Sequence, residues 1–328
     1  MMQPIYFTDC LAKQFYIELY KRSDFFQTME PQRWFDYQRE VNREQMQHVA
    51  NIWEQVITQY FDQQLPYFEI KPKKNLAGKK IIWQYWGQDI DETLPDMVKL
   101  CFASVERFKD ECEVIRLTDK TIADYIDLPE FIWQKRQNPA FGYTFFSDIL
   151  RLALLSAYGG VWADATILLT APLNPALFEQ DFFVFQRNAH AKNQSFWQHY
   201  NSDYFGWSPT HAVNMLNSFI AADKKSELLH HCLQLMLNFW HSQTQIPHYF
   251  FFQIMFDVLT KKFKPYQGVL VDDTLPHVLQ AVTNEPFDAQ TFLAILQSTN
   301  IHKMTYFNQV PKGSYYEHLL REFGLILS

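Results

Sequence analysis

The sequence predicts an α/β fold with mainly parallel strands, on three observations. From Lys79 onward, short apolar runs of strand length alternate with longer helical stretches. One of those stretches, Phe145 to Tyr158, is strongly apolar and ends at Gly159-Gly160, with a further apolar run directly after it. No internal repeat or low-complexity tract points to another architecture.

The elements follow in order. Residues 1–70 look helical, with little glycine and no strand-like alternation. Within them Val41, Met46, Val49, Ile52, Trp53, Val56, Ile57 and Tyr60 recur near helical spacing. The lysine-rich segment 71–80 then serves as a connector. This divides the chain into a helical N-terminal extension, 1–75, and an α/β domain, 76–328. KKIIWQYW (79–86) reads as a buried strand. Pro95 opens a helix reaching Phe108, because proline suits a first turn. Glu113–Leu117 is a second strand, and a short helix covers Thr121 to Ile126. Ser147 is a suitable N-cap for the apolar helix that Gly159 stops. Val161–Ala163 is a strand ending at Asp164, and 181–187 is another. Two long helices follow, at about 224–241 and 248–262.

Composition narrows the classes. The chain has 328 residues, 48% of them hydrophobic and 17% aromatic, enough for a large core; the aromatics also suit carbohydrate handling. A net charge of −7 argues against a nucleic-acid partner. The local exception is KPKKNLAGKK, which is either a solvated connector or a patch that meets anionic lipid or glycan. Cys10, Cys101, Cys112 and Cys232 are scattered without a CxxC pair, as expected of free thiols in a reducing compartment. Neither a signal peptide nor a transmembrane run is recognisable. The expectation is a soluble cytoplasmic protein, with peripheral attachment to the inner face of a membrane as the alternative.

The chemistry concentrates in one segment. Parallel α/β sheets bind ligands beyond the carboxyl ends of their strands, and Asp164 stands at such an end. Asp148 and Arg151, at i and i+3, share a face near the start of the preceding helix. The Gly159-Gly160 turn folds that helix back on the strand. Asp148, Arg151 and Asp164 can therefore converge on one volume suited to a sugar diphosphate, with carboxylates for hydroxyls or a metal and a guanidinium for phosphate. The same residues equally fit a solvated helix pair and a turn aspartate.

Ser147-Asp-Ile-Leu-Arg151, followed by Tyr158-Gly-Gly-Val-Trp-Ala-Asp164-Ala-Thr166, resembles the capsular polysaccharide synthesis family. That family is related to DXD-containing sugar transferases that include glucosylating toxins and mannosyltransferases. Ile81–Gly87, Pro95, Cys101, Ser104, Leu128–Ile132, Asn217–Ala222, Tyr249–Phe256 and Ile301–Tyr306 are similar to flanking blocks, so the resemblance runs from about 80 to 307. It implies a GT-A (Rossmann-like) glycosyltransferase domain. The reaction it implies moves a sugar, by our reading a hexose from UDP, from a nucleotide-sugar donor to an oligo- or polysaccharide acceptor, with retention. Trp86 would stack on the base. Asp148 and Arg151 would hold the donor, and Asp164 would be the first DXD aspartate. His302 would approach a manganese or magnesium ion together with Asp164, and Lys303 would touch phosphate. A peripheral membrane or capsule-assembly contact would accompany this role.

One departure stands out: Thr166 replaces the second DXD aspartate, which leaves the divalent metal with one direct carboxylate. The same replacement supports an alternative, a non-catalytic homologue that binds a nucleotide sugar or glycan with a degenerate metal site. For the acceptor the aromatic loop 201–209, with Trp197, Tyr204 and Trp207, is the candidate. Asp203, Asp257, Asp272 and Asp273 are unranked candidates for a base or nucleophile. No facing carboxylate pair suggests a glycoside hydrolase, and no GxGxxG follows a strand to suggest a dinucleotide oxidoreductase.

Overall fold

A computed structural model describes residues 31–326 of the chain. The helical expectation for residues 1–30, and Cys10 with it, lies outside the described residues.

The described chain opens with helix α1 (Pro31–Phe61), the apolar series expected from its periodicity. Its Met46, Val49, Trp53 and Ile57 are buried in the same core as the central sheet, so α1 is packed into the body. Strand β1 (Lys71–Pro72) follows, then β2 (Ile81–Tyr85), whose five residues are all buried. Helix α2 (Asp96–Phe108) starts after Pro95, as the sequence indicates. Next come β3 (Glu113–Leu117), one 3-10 turn at Ile122–Asp124 in place of the expected short helix, and β4 (Ile126–Asp127).

After the short helix α3 (Glu130–Lys135) comes α4 (Tyr143–Tyr158), the apolar helix. It starts earlier than Ser147: Gly142 occupies the N-cap, and Ser147 lies inside the helix with its hydroxyl donating to Thr144 O at 2.6 Å. A helix apolar on every side belongs in a core, and every residue from Phe146 to Leu155 is buried. Gly159 and Gly160 then turn the chain with φ of 76° and 104°. A Cβ on Gly160 would come 2.6 Å from Ile81 O. Gly160→Ala is expected to cost about 2 kcal/mol or more, combining positive-φ strain with this clash. Urea unfolding checks it; wild-type stability would show that the turn relaxes.

Strands β5 (Gly160–Ala163) and β6 (Ile167–Leu169) follow, then β7 (Phe182–Gln186), helix α5 (Gln194–Tyr200) and β8 (Met215–Ala222). The two long helices are α6 (Glu227–Ser242) and α7 (Phe251–Lys262). The chain continues through α8 (Val278–Val282), α9 (Ala289–Ser298), β9 (Ile301–Lys303) and α10 (Tyr315–Glu322).

The central sheet has five strands in the order β3-β2-β5-β8-β7. The fold class is α/β, as expected, but only half of the sheet is parallel. β2 runs parallel to β3 and β5, whereas β8 runs antiparallel to β5 and β7. The sequence reading singled out Asn217–Ala222 without recognising a strand there; seven of the eight residues of β8 are buried, so its apolar run carries no alternation to reveal it. Two small antiparallel pairs complete the sheets, β1 with β4 and β6 with β9. A second apolar cluster, built on Cys101, Leu168, Met304, Tyr316 and Leu319, lies between α2, β6 and the C-terminal helices.

The lysine-rich segment is tied to the body. Lys73 pairs with Asp127 at 2.7 Å and Lys79 with Glu113 at 2.6 Å, and the Lys74 ammonium lies over the Tyr125 ring. Among the described residues no helix is long and apolar enough to cross a membrane.

Candidate functional site

The topology brings the sequence-predicted residues to one edge. Because β2 and β5 are parallel, Trp86 and Asp164 leave the sheet at the same end. Helix α4 runs back against β5, so its first turns, with Asp148 and Arg151, lie at that end too. The antiparallel β8 starts there: Asp164 N donates to Ser218 O at 2.9 Å. A cleft of about 590 Å³ opens at this edge, lined among others by Trp86, Asp148, Arg151, Asp164, Thr166 and Lys303.

At the floor of the cleft is a buried ion cluster. The Arg151 guanidinium donates to Asp148 Oδ1 at 2.5 Å, to Ser147 Oγ at 2.9 Å and to Asp164 Oδ1 at 3.2 Å. Asn217 Nδ2 donates to Asp148 Oδ1 at 2.9 Å, and Trp162 Nε1 donates to Asp164 Oδ1 at 2.6 Å. Asp148 and Arg151 are only 4% and 2% exposed, while the Asp164 side chain keeps 24% of its surface open. Burial pushes the Asp148 carboxyl up to about 6, with Arg151 opposing the shift and the Asp164 charge adding to it. The Asp148–Arg151 pair is therefore a desolvated helix pair within the core, and the solvated alternative does not hold.

On the opposite wall, β6 and β9 supply Thr166 and Lys303. Lys303 Nζ donates to Thr166 Oγ1 at 2.6 Å and to Met304 O at 2.9 Å. Burial pulls the Lys303 ammonium below its usual range, and the Asp164 carboxylate works against that shift. Trp86, half-buried, packs against Leu94, Val98, Phe102 and Ala165 while lining the cleft.

His302 is placed differently from the sequence expectation. Neighbouring strand residues point to opposite faces, so Lys303 turns into the cleft and His302 into the core. Its ring is fully buried, with Nε2 3.1 Å from Thr170 Oγ1, and burial pulls its pKa down to about 3. It does not line the cleft. A divalent ion would therefore find two unengaged carboxylate oxygens, Asp164 Oδ2 and the buried Asp148 Oδ2, since each Oδ1 already accepts two hydrogen bonds and both carboxylates are paired with Arg151. Thr166 offers a hydroxyl that faces an ammonium. These residues do not fit a divalent metal: the donor set is short of carboxylates and carries a fixed positive charge of its own.

The four unranked aspartates fall outside the cleft. Asp273 is fully buried and anchors the 201–209 loop, accepting from Arg187 Nε at 2.8 Å, Arg187 Nη2 at 2.9 Å and the Tyr204 hydroxyl at 3.0 Å. Arg187 in turn donates to the carbonyls of Gly206 and Tyr204. Asp257 pairs with Lys261, Asp272 accepts from Thr274 N, and Asp203 accepts from Asn42. Of the aromatics proposed for the acceptor, Tyr204 lines the cleft; Trp197 and Trp207 do not.

Sequence reasoning passed over the exposed rings at the mouth, Tyr143, Tyr200, Tyr249 and Tyr306. Tyr249 and Tyr306 sit within blocks singled out for their resemblance, but a lone tyrosine carries no signal of exposure before the fold is known. Asn217 was missed as a partner of Asp148 for the same reason: it reaches α4 only because β8 lies beside β5.

The fold and site together define an α/β protein with a cleft at the carboxyl ends of its parallel strands, floored by a buried acid–base cluster. The chain belongs to the capsular polysaccharide synthesis protein family, matching it over residues 33–319. Among solved structures, the PaToxG glycosyltransferase is a distant likeness: identity is 17%, the alignment covers 70% of this chain and 80% of that one, and the TM-score is 0.32. A search of curated proteins finds no match.

Proposed function

We propose that this protein is a glycosyltransferase of the GT-A kind, transferring a hexose from UDP to an oligo- or polysaccharide acceptor. The observation that supports the reading is the convergence of Asp148, Arg151 and Asp164 in a cleft that also holds Lys303 and Trp86. Family membership in capsular polysaccharide synthesis is the second support.

In this reading Trp86 offers a ring to the base and Lys303 a cation to the diphosphate. Asp164, with Oδ2 unengaged, accepts from sugar hydroxyls, while Asp148 and Arg151 hold each other in place. The bond from the anomeric carbon to the diphosphate breaks, and the electron pair leaves with the nucleoside diphosphate. A bond forms from an acceptor hydroxyl oxygen to that carbon, and the hydroxyl proton passes to the departing diphosphate oxygen. Positive groups near the leaving oxygens favour departure because negative charge grows there. Retention of configuration belongs to the proposal, as the resemblance to the DXD-containing sugar transferases implies. The exposed tyrosines at the mouth suit the faces of acceptor sugars.

The test is release of nucleoside diphosphate from a panel of UDP- and GDP-sugars, with and without oligosaccharide. Release from one donor, lost in Asp164→Ala, is the expected result. Nucleotide binding without turnover of any donor on any acceptor would favour the non-catalytic homologue that Thr166 suggests. No binding at all would remove the reading.

A further inference from the structure

We propose that Lys303 stands where other sites of this chemistry place a divalent cation, and that its ammonium binds the donor diphosphate directly, without metal. The inference rests on the transferase reading above and deepens it.

Four observations carry it. The position after Asp164 that should supply a second carboxylate is Thr166, and its hydroxyl is taken up by Lys303 Nζ at 2.6 Å. The same ammonium donates to Met304 O at 2.9 Å. An ammonium has three N–H groups, and the third has no partner among the described residues, which leaves it for a ligand. Lys303 is also fixed in place: it ends β9, paired with Ile167 of β6, so the cation is held by a strand.

The remaining groups do not gather a metal. His302 is turned into the core, and among the described residues no three His, Cys, Asp or Glu side chains are grouped to hold a cation. Asp164 Oδ1 is committed to Arg151 and Trp162. Among the described residues the carboxylates lining the cleft are Asp148 and Asp164, set against Arg151 and Lys303. Asp148 is already neutralised by Arg151, and the Asp164 charge is shared by Arg151 and Lys303. A divalent ion entering beside Lys303 would meet a like charge, with only carboxylates already paired to Arg151 to offset it. A diphosphate brings the opposite charge, and its arrival favours the protonated amine over the neutral form that burial promotes.

The test is calorimetric titration of the protein with UDP and with GDP, once in excess EDTA and once in manganese. One nucleotide is expected to bind in EDTA with an affinity within about threefold of that in manganese, a difference under one kilocalorie-scale step. Lys303→Met should weaken binding in EDTA by about tenfold or more, the loss of a charge-assisted hydrogen bond, and Lys303→Arg should keep most of it. The double variant Thr166→Asp/Lys303→Ala adds a second carboxylate beside Asp164 and removes the cation, so its nucleotide binding should become manganese-dependent. Binding by the wild-type protein in manganese alone would overturn the inference and leave the transferase reading intact. An unchanged affinity of Lys303→Met in EDTA would overturn it too. Failure of both nucleotides under both conditions would overturn inference and reading together. The wild-type comparison needs no variant to fold.

Discussion

Arg151→Ala is expected to lower stability more than any other single change in the site, by about 3–5 kcal/mol, because it strands a buried carboxylate. Arg151 is 2% exposed and donates to three side chains, Asp148, Ser147 and Asp164. Asp148 is nearly as buried, and without the guanidinium only Asn217 opposes the cost of its desolvation. The variant should show the same cause through pH. In the wild-type protein burial already holds Asp148 up at about 6, above its unfolded value, so the folded state binds the extra proton. Removing Arg151 raises the carboxyl further. Between the two folded values the variant holds a proton that the wild type has released, so its deficit grows as pH rises above about 6 and shrinks below it. Thermal unfolding of both proteins at pH 5.5 and pH 8 checks this, and Asp148→Asn added to the variant should recover part of the loss. A deficit independent of pH would show that the guanidinium acts through packing alone.

Asp164→Asn is expected to lower donor turnover by about 10²-fold or more while leaving the fold close to wild type. The charge and its orientation are what the reaction needs, and misplaced donor groups cost rates of that order. The amide oxygen can still accept from Trp162 Nε1 and Arg151, so the local hydrogen bonds survive. Asp164→Ala removes that acceptor and leaves a buried indole N–H unpaired, adding about 1–3 kcal/mol of destabilisation to the same loss of activity. Comparing the two separates chemistry from folding: equal turnover losses with unequal thermal midpoints are expected. Wild-type turnover in Asp164→Asn would take Asp164 out of the machinery.

Local signals were legible in the sequence where one residue type admits one backbone. Proline at 95 and the glycine pair at 159–160 gave the start of α2 and the end of α4, because their allowed φ ranges leave few alternatives. The ten consecutive buried residues of α4 were visible as a helix apolar all round. Ser147 misled as a cap because a serine can equally donate back to the preceding turn, as it does to Thr144 O.

The sequence by itself determined the α/β class, the core helix, the turn that returns it to β5, and the identity of the Asp148, Arg151 and Asp164 cluster, since these sit within one short stretch of chain. Only the tertiary structure decided strand direction, and with it everything contributed from a distance. The antiparallel entry of β8 brings Asn217 to Asp148, and the pairing of β9 with β6 turns Lys303 toward Thr166 while burying His302. The physical reason is that a strand offers alternate residues to opposite faces, so which of two neighbours reaches a site depends on a register set by another segment.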